Sequence, residues 1–216
     1  MTGFDITYHH MSDRAILLRW PDQIQEEILE DIIHYQSVIK SAYKDSVIHF
    51  TPAYASLLIR YYRAIHDSKE IEFLRSIYTD RDRTKTTPPK SWDIPVCYNN
   101  SSGPDQINFF NKGISKELLI DLHTARTYRI YMIGFLPGFL YLGQLDERLH
   151  LPRKPTPSLH VPKGSVAIGG QQTGIYPNDS PGGWHIIGRT SIDIFDLTRD
   201  NPSVYSQGDY VRFYAV

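Results

Sequence analysis

The second half of the sequence concentrates polar and aromatic side chains that suit the binding of a small molecule. Arginine can hold a carboxylate or phosphate through two parallel hydrogen bonds, and histidine can carry a proton near neutral pH. Aromatic walls with a few convergent polar groups are typical of small-molecule pockets, so these residue types predict such a pocket. The candidates are His123, Tyr128, Tyr141, Arg153, Gln171, Gln172, Thr173, Tyr176, Asp179, Ser180, Trp184 and Arg189.

Each of these residue types also has an ordinary structural role. His123, on one face of a predicted helix, can be a half-buried histidine whose hydrogen bonds are satisfied. Trp184 can belong to the core, and Arg189 can be a structural hydrogen-bonding hub. Composition alone leaves both interpretations open for all three residues.

The segment SPGGWHIIGRT, residues 180–190, predicts a rigid corner in the chain. Pro181 fixes φ, while Gly182 and Gly183 permit positive φ and the close approach of a backbone or ligand. The segment matches neither a phosphate loop nor a nucleophile elbow, because Ser180 precedes the glycines. Since no histidines pair at ligand spacing with acidic neighbours, we expect no metal site.

The composition argues against several classes of protein. Lys and Arg total 23 against 24 Asp and Glu, so nothing indicates a nucleic-acid partner. The single cysteine, Cys97, excludes an internal disulfide, and its apolar run IPVCYN predicts a buried structural thiol. The apolar runs are too short to span a membrane and the first residues lack a signal-peptide core. We therefore expect a soluble, cytoplasmic protein with no membrane contact.

Residues 1–90 predict a small α/β domain. RAILLRW, SVIHF and YASLLIRY are strand-like, and a helix of about five turns follows the first of them. Asp67 can cap a second helix. This order of elements is typical of a split βαβ or ferredoxin-like layer. The apolar faces are Ile28, Ile32, Tyr35, Ile39 and Ala42 on the first helix and Ile71, Leu74 and Ile77 on the second.

A β-rich domain is predicted over residues 91–216, after a charged and proline-rich linker at residues 79–92. Short strands separated by Gly and Pro turns favour a β-barrel or sandwich. One helix, capped by Ser115, places Leu118 and Leu122 on one face and Leu119 and His123 on the next. The predicted strands are DIPVCYN, TYRIYMIGF, GSVAIGG, WHIIGRT, IDIFD and YVRFYAV.

Five motifs follow one another in the second half: GFLPGFLYL, PRKPTPS, VPKGSV, QTGIYP and SPGGWHIIGRT. In this order they closely resemble the hallmarks of the allophanate hydrolase subunit 1 family, also called the KipI family. The resemblance is strong over residues 94–216 and covers the preceding domain only in outline. It implies a C-terminal cyclophilin-like β-barrel that follows a smaller α/β domain in the sequence.

The resemblance also implies a function. The B subunit of the prokaryotic 5-oxoprolinase is the enzyme member, and it acts with its homologous cyclophilin-like C subunit and with the A subunit. Together they hydrolyse 5-oxo-L-proline to L-glutamate with ATP. Because this chain has no nucleotide-binding signature, we expect ATP at the level of the complex and no activity from the chain alone. Two alternatives stay open: a KipI-type inhibitor of a sporulation histidine kinase, and a carboxyltransferase-related subunit.

Within this interpretation, Arg153 and Arg189 are expected to bind anionic groups and His123 to carry a proton. Two departures from the family pattern bear on the substrate. Ser158 stands where the family has a second arginine, and NNSSGPD at residues 99–105 replaces a glycine-rich loop. Asparagine tolerates positive φ, so we expect that turn to survive. The expected substrate-binding residues are Tyr141, Gln172, Thr173, Tyr176, Ser180 and Trp184.

Overall fold

The computed structural model of the protein describes residues 3–44, 47–80 and 88–216. The chain divides into two compact units, Met1–Pro88 and Pro89–Val216. Half of the predicted linker, residues 81–87, lies outside the described residues. None of the described helices is long and apolar enough to cross a membrane.

The first unit is a four-stranded antiparallel sheet with two helices. Its sheet has the order β1-β2-β4-β3. Because β4 lies between β2 and β3, which α1 connects, the unit contains the expected split βαβ arrangement. The mostly polar β1 was not predicted. The elements are β1 (Thr7–Ser12), β2 (Ala15–Arg19), α1 (Glu26–Tyr43), β3 (Val47–Pro52), β4 (Ser56–Tyr61) and α2 (Asp67–Asp80).

The apolar face of α1 forms much of this unit's core. Ile28, Ile32, Tyr35 and Ile39 are fully buried, as their helical spacing predicts. The Tyr35 hydroxyl donates a 2.6 Å hydrogen bond to the carbonyl of Leu74 and so connects α1 to α2. One detail of the prediction was wrong, because Ala42 is exposed. Helix α2 begins at Asp67, and the predicted capping side chain of that residue lies outside what the structure describes.

The second unit is a curled seven-stranded sheet of order β12-β9-β10-β7-β6-β13-β5, with β8 and β11 paired beside it. This curled, barrel-like sheet is the β architecture that the sequence predicts. Its elements are β5 (Ser91–Val96), α3 (Ile107–Phe110), α4 (Lys116–Thr124), β6 (Thr127–Ile133), β7 (Leu140–Leu142), β8 (Ser158–Val161), β9 (Ser165–Gly169), β10 (Gln172–Ile175), β11 (Ser180–Gly182), β12 (His185–Arg189) and β13 (Tyr210–Ala215).

One pair of residues joins the two edges of this sheet. Just beyond β5, Cys97 donates a 2.8 Å backbone hydrogen bond to the carbonyl of Arg189, and Arg189 returns one of 3.0 Å. These bonds bring β5 and β12 together and curl the sheet towards a closed barrel. The sulfur-bearing residue at this junction is half-buried, so the expectation of a buried Cys97 was wrong.

The local predictions for the second unit were confirmed in part. Ser115 caps α4, since its hydroxyl accepts a 3.2 Å hydrogen bond from the Leu118 amide. Leu118 itself is exposed, whereas Leu119, Leu122 and His123 face the core. The segment IDIFD, predicted as a strand, has no regular structure. Asp196 in this segment accepts hydrogen bonds from the amide and hydroxyl of Thr198, at 2.9 and 2.7 Å, which turn the chain.

Candidate functional site

The sheet formed by β7, β10 and β9 has two different faces. Side chains alternate between the faces of a strand, so neighbours along each strand point in opposite directions. Leu140 and Leu142 of β7 and Ile175 of β10 belong to the hydrophobic core. Tyr141 lies between two of these residues, so its side chain points to the opposite face. A β-carbon on Gly174, which directly precedes Ile175, would lie on that same opposite face. The predicted site residues are divided between these two faces.

Four aromatic rings pack together on the face opposite the core: Phe139, Tyr141, Tyr176 and Trp184, here called the aromatic cluster. The ring centroid of Phe139 lies 4.7 Å from that of Tyr141, 4.9 Å from that of Tyr176 and 5.5 Å from that of Trp184. The Tyr141 and Trp184 rings meet at 5.6 Å with a steep interplanar angle of 78°. Such edge-to-face contacts are favourable beyond the area they bury. All four rings are largely buried.

Glycines make room for this cluster. A β-carbon at Gly169 would lie 2.6 Å from three atoms of the Trp184 indole. One at Gly174 would lie 3.0 Å from the indole and 2.6 Å from the carbonyl oxygen of Leu140. One at Gly182 would lie 2.2 Å from the Tyr176 hydroxyl. The indole therefore lies against the sheet at positions where only glycine leaves enough space.

Arg153 places a cation at the aromatic cluster. Its guanidinium carbon lies 5.8 Å from the centroid of the Trp184 ring, within cation–π range. Burial raises the pKa of Tyr141, and the charge of Arg153 opposes that rise. Arg153 is exposed, and within the described ranges no carboxylate pairs with it. Its guanidinium can therefore bind an anionic group.

The backbone on both sides of Arg153 is fixed by the corner at residues 183–185. Lys154 donates a 2.7 Å backbone hydrogen bond to the carbonyl of Gly183. On the other side, His185 Nε2 donates a 2.8 Å hydrogen bond to the carbonyl of Pro152. The predicted rigid corner thus positions the arginine-bearing segment. Neither Gly182 nor Gly183 adopts the positive φ that glycine permits.

An ion pair beneath this segment involves residues that the sequence did not single out for function. Lys154 Nζ lies 2.8 Å from Asp105 Oδ2 and donates a 2.6 Å hydrogen bond to the Ser158 hydroxyl. Asp105 also accepts a 2.8 Å hydrogen bond from the Ile186 amide. Ser158, in place of the family's second arginine, therefore adds no charge. The charge of Lys154 is paired with Asp105, whereas Arg153, one residue earlier, has no paired carboxylate among the residues that the structure describes.

The loop at residues 99–105 keeps its turn without positive φ at either asparagine. The Asn99 side-chain oxygen accepts hydrogen bonds of 2.8 Å from both the Ser101 hydroxyl and the Ser102 amide. Gly103 is required for space, because a β-carbon there would lie 2.4 Å from the carbonyl oxygen of Ile187. The turn survives as expected, but through side-chain hydrogen bonds to Asn99.

His123 and Thr173 lie on the core face of the sheet. The Tyr98 hydroxyl is 2.7 Å from His123 Nδ1, and the Thr173 hydroxyl is 2.8 Å from Nε2. Thr173 donates its own hydroxyl proton to the carbonyl of Ala167 at 3.0 Å, so it accepts from Nε2–H. Nδ1 then accepts from Tyr98, which fixes one neutral tautomer. Burial lowers the pKa of His123 to about 3, which keeps the ring neutral at pH 7.

The surroundings of His123 separate it from Arg153. The imidazole is 0% exposed and stacks on Phe213 with ring centroids 4.6 Å apart. A proton carrier needs contact with its substrate or with water that reaches it. This geometry supports a structural role in the core, and the role of His123 as a proton carrier stays a prediction.

Arg189 is the last residue of β12, and Trp184 directly precedes the strand. The two residues are five positions apart, which corresponds to at most about 16 Å between their α-carbons. The Arg189 Nε donates a 2.9 Å hydrogen bond to the carbonyl of Lys163, and its side chain borders a cleft of about 380 Å³. The cleft is also lined by Cys97 and Asp193. The two predicted anion-binding arginines therefore do not converge on one group.

The remaining predicted site residues lie near the aromatic cluster or inside the fold. Ser180, in β11, is buried, and its hydroxyl donates a 3.1 Å hydrogen bond to the carbonyl of Pro181. Gln172 is half-buried at the start of β10. Lys154 was not predicted, although it follows Arg153 directly in the same motif. Within residues 3–44, 47–80 and 88–216, no group of three His, Cys, Asp or Glu residues could hold a metal ion.

The comparison with known proteins agrees with this fold. The chain matches the family described as carboxyltransferase domain, subdomain C and D, over residues 6–205. It is 33% identical to the 5-oxoprolinase B subunit of Bacillus subtilis over 94% of this chain and 90% of that protein. It is 48% identical to the 5-oxoprolinase B subunit of Escherichia coli O157:H7, but this match spans just over half of each chain, 56%.

A solved structure shows the same fold. The crystal structure of TTHA0988 aligns with a TM-score of 0.81 and 32% sequence identity, over 94% of this chain. The match takes up 40% of the TTHA0988 chain. On these matches, the chain belongs to the carboxyltransferase domain family, subdomains C and D, and is a homologue of the 5-oxoprolinase B subunits.

Proposed function

We propose that this chain is the B subunit of an ATP-dependent 5-oxoprolinase, which hydrolyses 5-oxo-L-proline to L-glutamate together with the A and C subunits. One observation carries the proposal: 33% identity with a 5-oxoprolinase B subunit over nearly the whole of both chains. A match of that extent includes both compact units, and not only the motif-rich half.

The proposed reaction opens a lactam. Water adds to the ring carbonyl carbon and the carbon–nitrogen bond breaks, which gives the amine and the new carboxylate of glutamate. A lactam is a poor electrophile, so transfer of the ATP γ-phosphoryl group to its oxygen would make the carbon easier to attack. The first water opens the ring and leaves an acyl phosphate; a second water then attacks the same carbon, and phosphate leaves with the original oxygen to give the carboxylate. Such chemistry requires donors or cations where negative charge develops.

Arg153 is the residue of this chain to which we assign the anionic part of the substrate. It is exposed and within the described ranges has no paired carboxylate. Its backbone is held from both sides, as an anion-binding group must be if it is to orient a substrate. Tyr141, Tyr176 and Trp184 form the apolar wall beside it. Arg189, in its separate cleft, is assigned a second anionic group.

Reconstitution tests the proposal. The chain is purified with the A and C subunits of the same genome, and glutamate formation from 5-oxo-L-proline and ATP is measured. We expect turnover from the three proteins together and none from the chain alone, because the site is completed by its partners. Omission of each protein in turn is the control. No glutamate from the complete mixture, or turnover by the lone chain, would contradict the proposal.

The description of the family as a carboxyltransferase domain supports a second candidate function. In this version a carboxyl group would come from biotin on another protein. The same reconstituted mixture separates the two functions, because carboxyl transfer requires a biotinylated carrier and hydrolysis of 5-oxo-L-proline does not. Glutamate formation that is unchanged by avidin supports the oxoprolinase.

A further inference from the structure

Phe135 combines a strained backbone with an exposed aromatic side chain. Its φ is 65°, in the left-handed region that non-glycine residues avoid. The Leu136 amide donates a 2.8 Å hydrogen bond to the carbonyl of Gly134, two residues before it. A hydrogen bond of this type around a residue with positive φ is the rarer, strained form of γ-turn. Nevertheless, 63% of the phenylalanine surface is exposed, so burial of the ring does not account for the strain.

The rest of the loop holds this conformation rigidly. The Gly134 amide donates to the carbonyl of Phe139 at 3.1 Å, and the Phe139 amide donates to the carbonyl of Leu136 at 3.0 Å. Gly138 has a φ of 87° and lets the loop lie close to Phe195. A β-carbon added at Gly138 would lie 2.5 Å from the β-carbon of Phe195. The loop between β6 and β7 is therefore tightly fixed. Backbone strain that persists at an exposed position points to a functional contact.

The exposed ring is an extension of the aromatic cluster. Phe135 meets Phe139 edge-on, with centroids 5.7 Å apart and an interplanar angle of 87°. Phe139 in turn contacts Trp184, over which Arg153 lies. Aromatic and arginine side chains are the types enriched at the centres of protein interfaces. A small polar substrate would need a concave site, whereas a ring that projects from a rigid loop suits a socket on another protein.

In one relative, TTHA0988, the chain extends well beyond the fold that it shares with this protein. The part of TTHA0988 that matches this chain is 40% of that chain, so more than half of that polypeptide lies outside the shared fold. We propose that Phe135 is the apolar anchor of the interface with the C subunit, which receives the ring in an apolar socket. This inference rests on the proposed function, because it takes the partner from there.

The test uses the whole chain and the C subunit, with their affinity measured by calorimetry. Phe135→Gly relieves the strain and removes the ring. We expect its affinity for the C subunit to fall at least 30-fold, as for an interface hot spot, which corresponds to about 2 kcal/mol. The melting temperature of the free chain should stay unchanged or rise by about 2–4 °C. Phe135→Tyr should keep most of the affinity.

Two control variants isolate the cause. Gln144→Gly relaxes another non-glycine residue of positive φ, 70°, and Leu197→Ala removes a side chain that is 79% exposed. Neither should change the affinity by more than about 2-fold. Wild-type affinity in Phe135→Gly, or an equal loss in Leu197→Ala, would overturn the inference.

The glutamate assay separates this inference from the proposed function. A higher KM for 5-oxo-L-proline in Phe135→Gly, with unchanged affinity for the C subunit, would show that the ring contacts the small molecule, and would overturn the interface. If the wild-type proteins assemble and turn over but Phe135→Gly behaves like wild type in both assays, only the inference fails. If the wild-type proteins neither assemble nor turn over, the proposed function fails and the inference fails with it.

Discussion

His123 and Thr173 connect α4 to β10 by a 2.8 Å hydrogen bond between the imidazole Nε2 and the threonine hydroxyl. Tyr98 binds the other ring nitrogen at 2.7 Å, so both nitrogens are paired inside the core. A buried polar group with every partner in place stabilises one arrangement of a core, and loss of one partner leaves the others unsatisfied. The second unit should therefore be sensitive to changes at either end of this connection.

Thr173→Val should destabilise the second unit by about 1–3 kcal/mol, because it leaves the buried Nε2–H without an acceptor while it nearly preserves the side-chain volume. Urea-induced unfolding, followed by circular dichroism, measures the loss. Thr127→Val is the matched control, since Thr127 is an exposed strand residue of the same unit, and it should change the stability by less than about 0.5 kcal/mol. Equal effects of the two variants would contradict a structural role for the bond between His123 and Thr173.

The stability of the protein should decrease in mild acid because of His123. Burial lowers its pKa from the ordinary value of 6.5 to about 3. Between these values the unfolded chain binds a proton that the folded chain does not. This difference favours unfolding by up to about 1.4 kcal/mol per pH unit as the pH falls from 6.5 towards 3. The contribution is fully present above pH 6.5.

Unfolding titrations of wild type and His123→Gln between pH 7 and pH 4.5 test this dependence. Glutamine can hydrogen-bond to Thr173 but does not titrate. The variant is expected to be less stable at pH 7, and its stability should fall less steeply with acid than that of wild type. Parallel pH profiles for the two proteins would show that His123 does not keep its lowered pKa in the folded chain.

The sequence predicted the elements whose periodicity is long enough to identify them. Ile28, Ile32, Tyr35 and Ile39 repeat along 18 residues of α1, and the structure buries all four. The strands β7 and β10 have only three and four residues, and β10 contains Gly174. Such strands exist because neighbouring strands pair with them, which no local pattern shows. The fold of the second unit was predicted from the resemblance of the five ordered motifs to a known family.

Only part of the candidate site could be predicted, because pairing between strands also decides which side chains meet. Residue types identified Arg153, Tyr141, Tyr176 and Trp184, which the structure brings together. They could not separate these residues from Thr173, because neighbouring positions on one strand point to opposite faces. Which face of the sheet a side chain occupies depends on the register of the strands, and the position of Trp184 depends on the glycines that leave space for its indole. Likewise, the distance between Arg153 and Arg189 depends on strand direction, which the spacing of motifs does not reveal.

Gly169→Ala should displace the Trp184 indole, because the new methyl group would lie 2.6 Å from three of its atoms. We expect a loss of about 1–3 kcal/mol in stability and a changed tryptophan fluorescence spectrum. Gly183→Ala is the control in the same region, where the nearest atom would be 3.8 Å away and φ is not positive. It should leave both measurements close to those of wild type. An unchanged spectrum in Gly169→Ala would contradict the described position of the indole.

Asp105→Asn should destabilise the segment that carries Arg153. It removes the charge paired with Lys154 at 2.8 Å, while the amide oxygen can still accept from Ile186. Because the pair is mostly shielded from solvent, we expect a loss of about 2–4 kcal/mol, measured by chemical unfolding. Asp93→Asn is the matched control, since its pair with Arg212 is exposed to solvent, and it should change the stability much less than Asp105→Asn. Equal losses would show that shielding is not what distinguishes the two pairs.

Arg153→Ala should weaken substrate binding by the reconstituted complex without loss of the fold. A charge-assisted hydrogen bond to an anion contributes about 1.5–3 kcal/mol, so kcat/KM for 5-oxo-L-proline should fall about 10- to 150-fold. Arg189→Ala is the matched arginine, because the Arg189 side chain borders a separate cleft whose lining does not include Arg153. Its KM for 5-oxo-L-proline should stay within about 3-fold of wild type, whichever other ligand it binds. If Arg189→Ala raised this KM and Arg153→Ala did not, the substrate would lie in the cleft of Arg189 and the aromatic cluster would be structural.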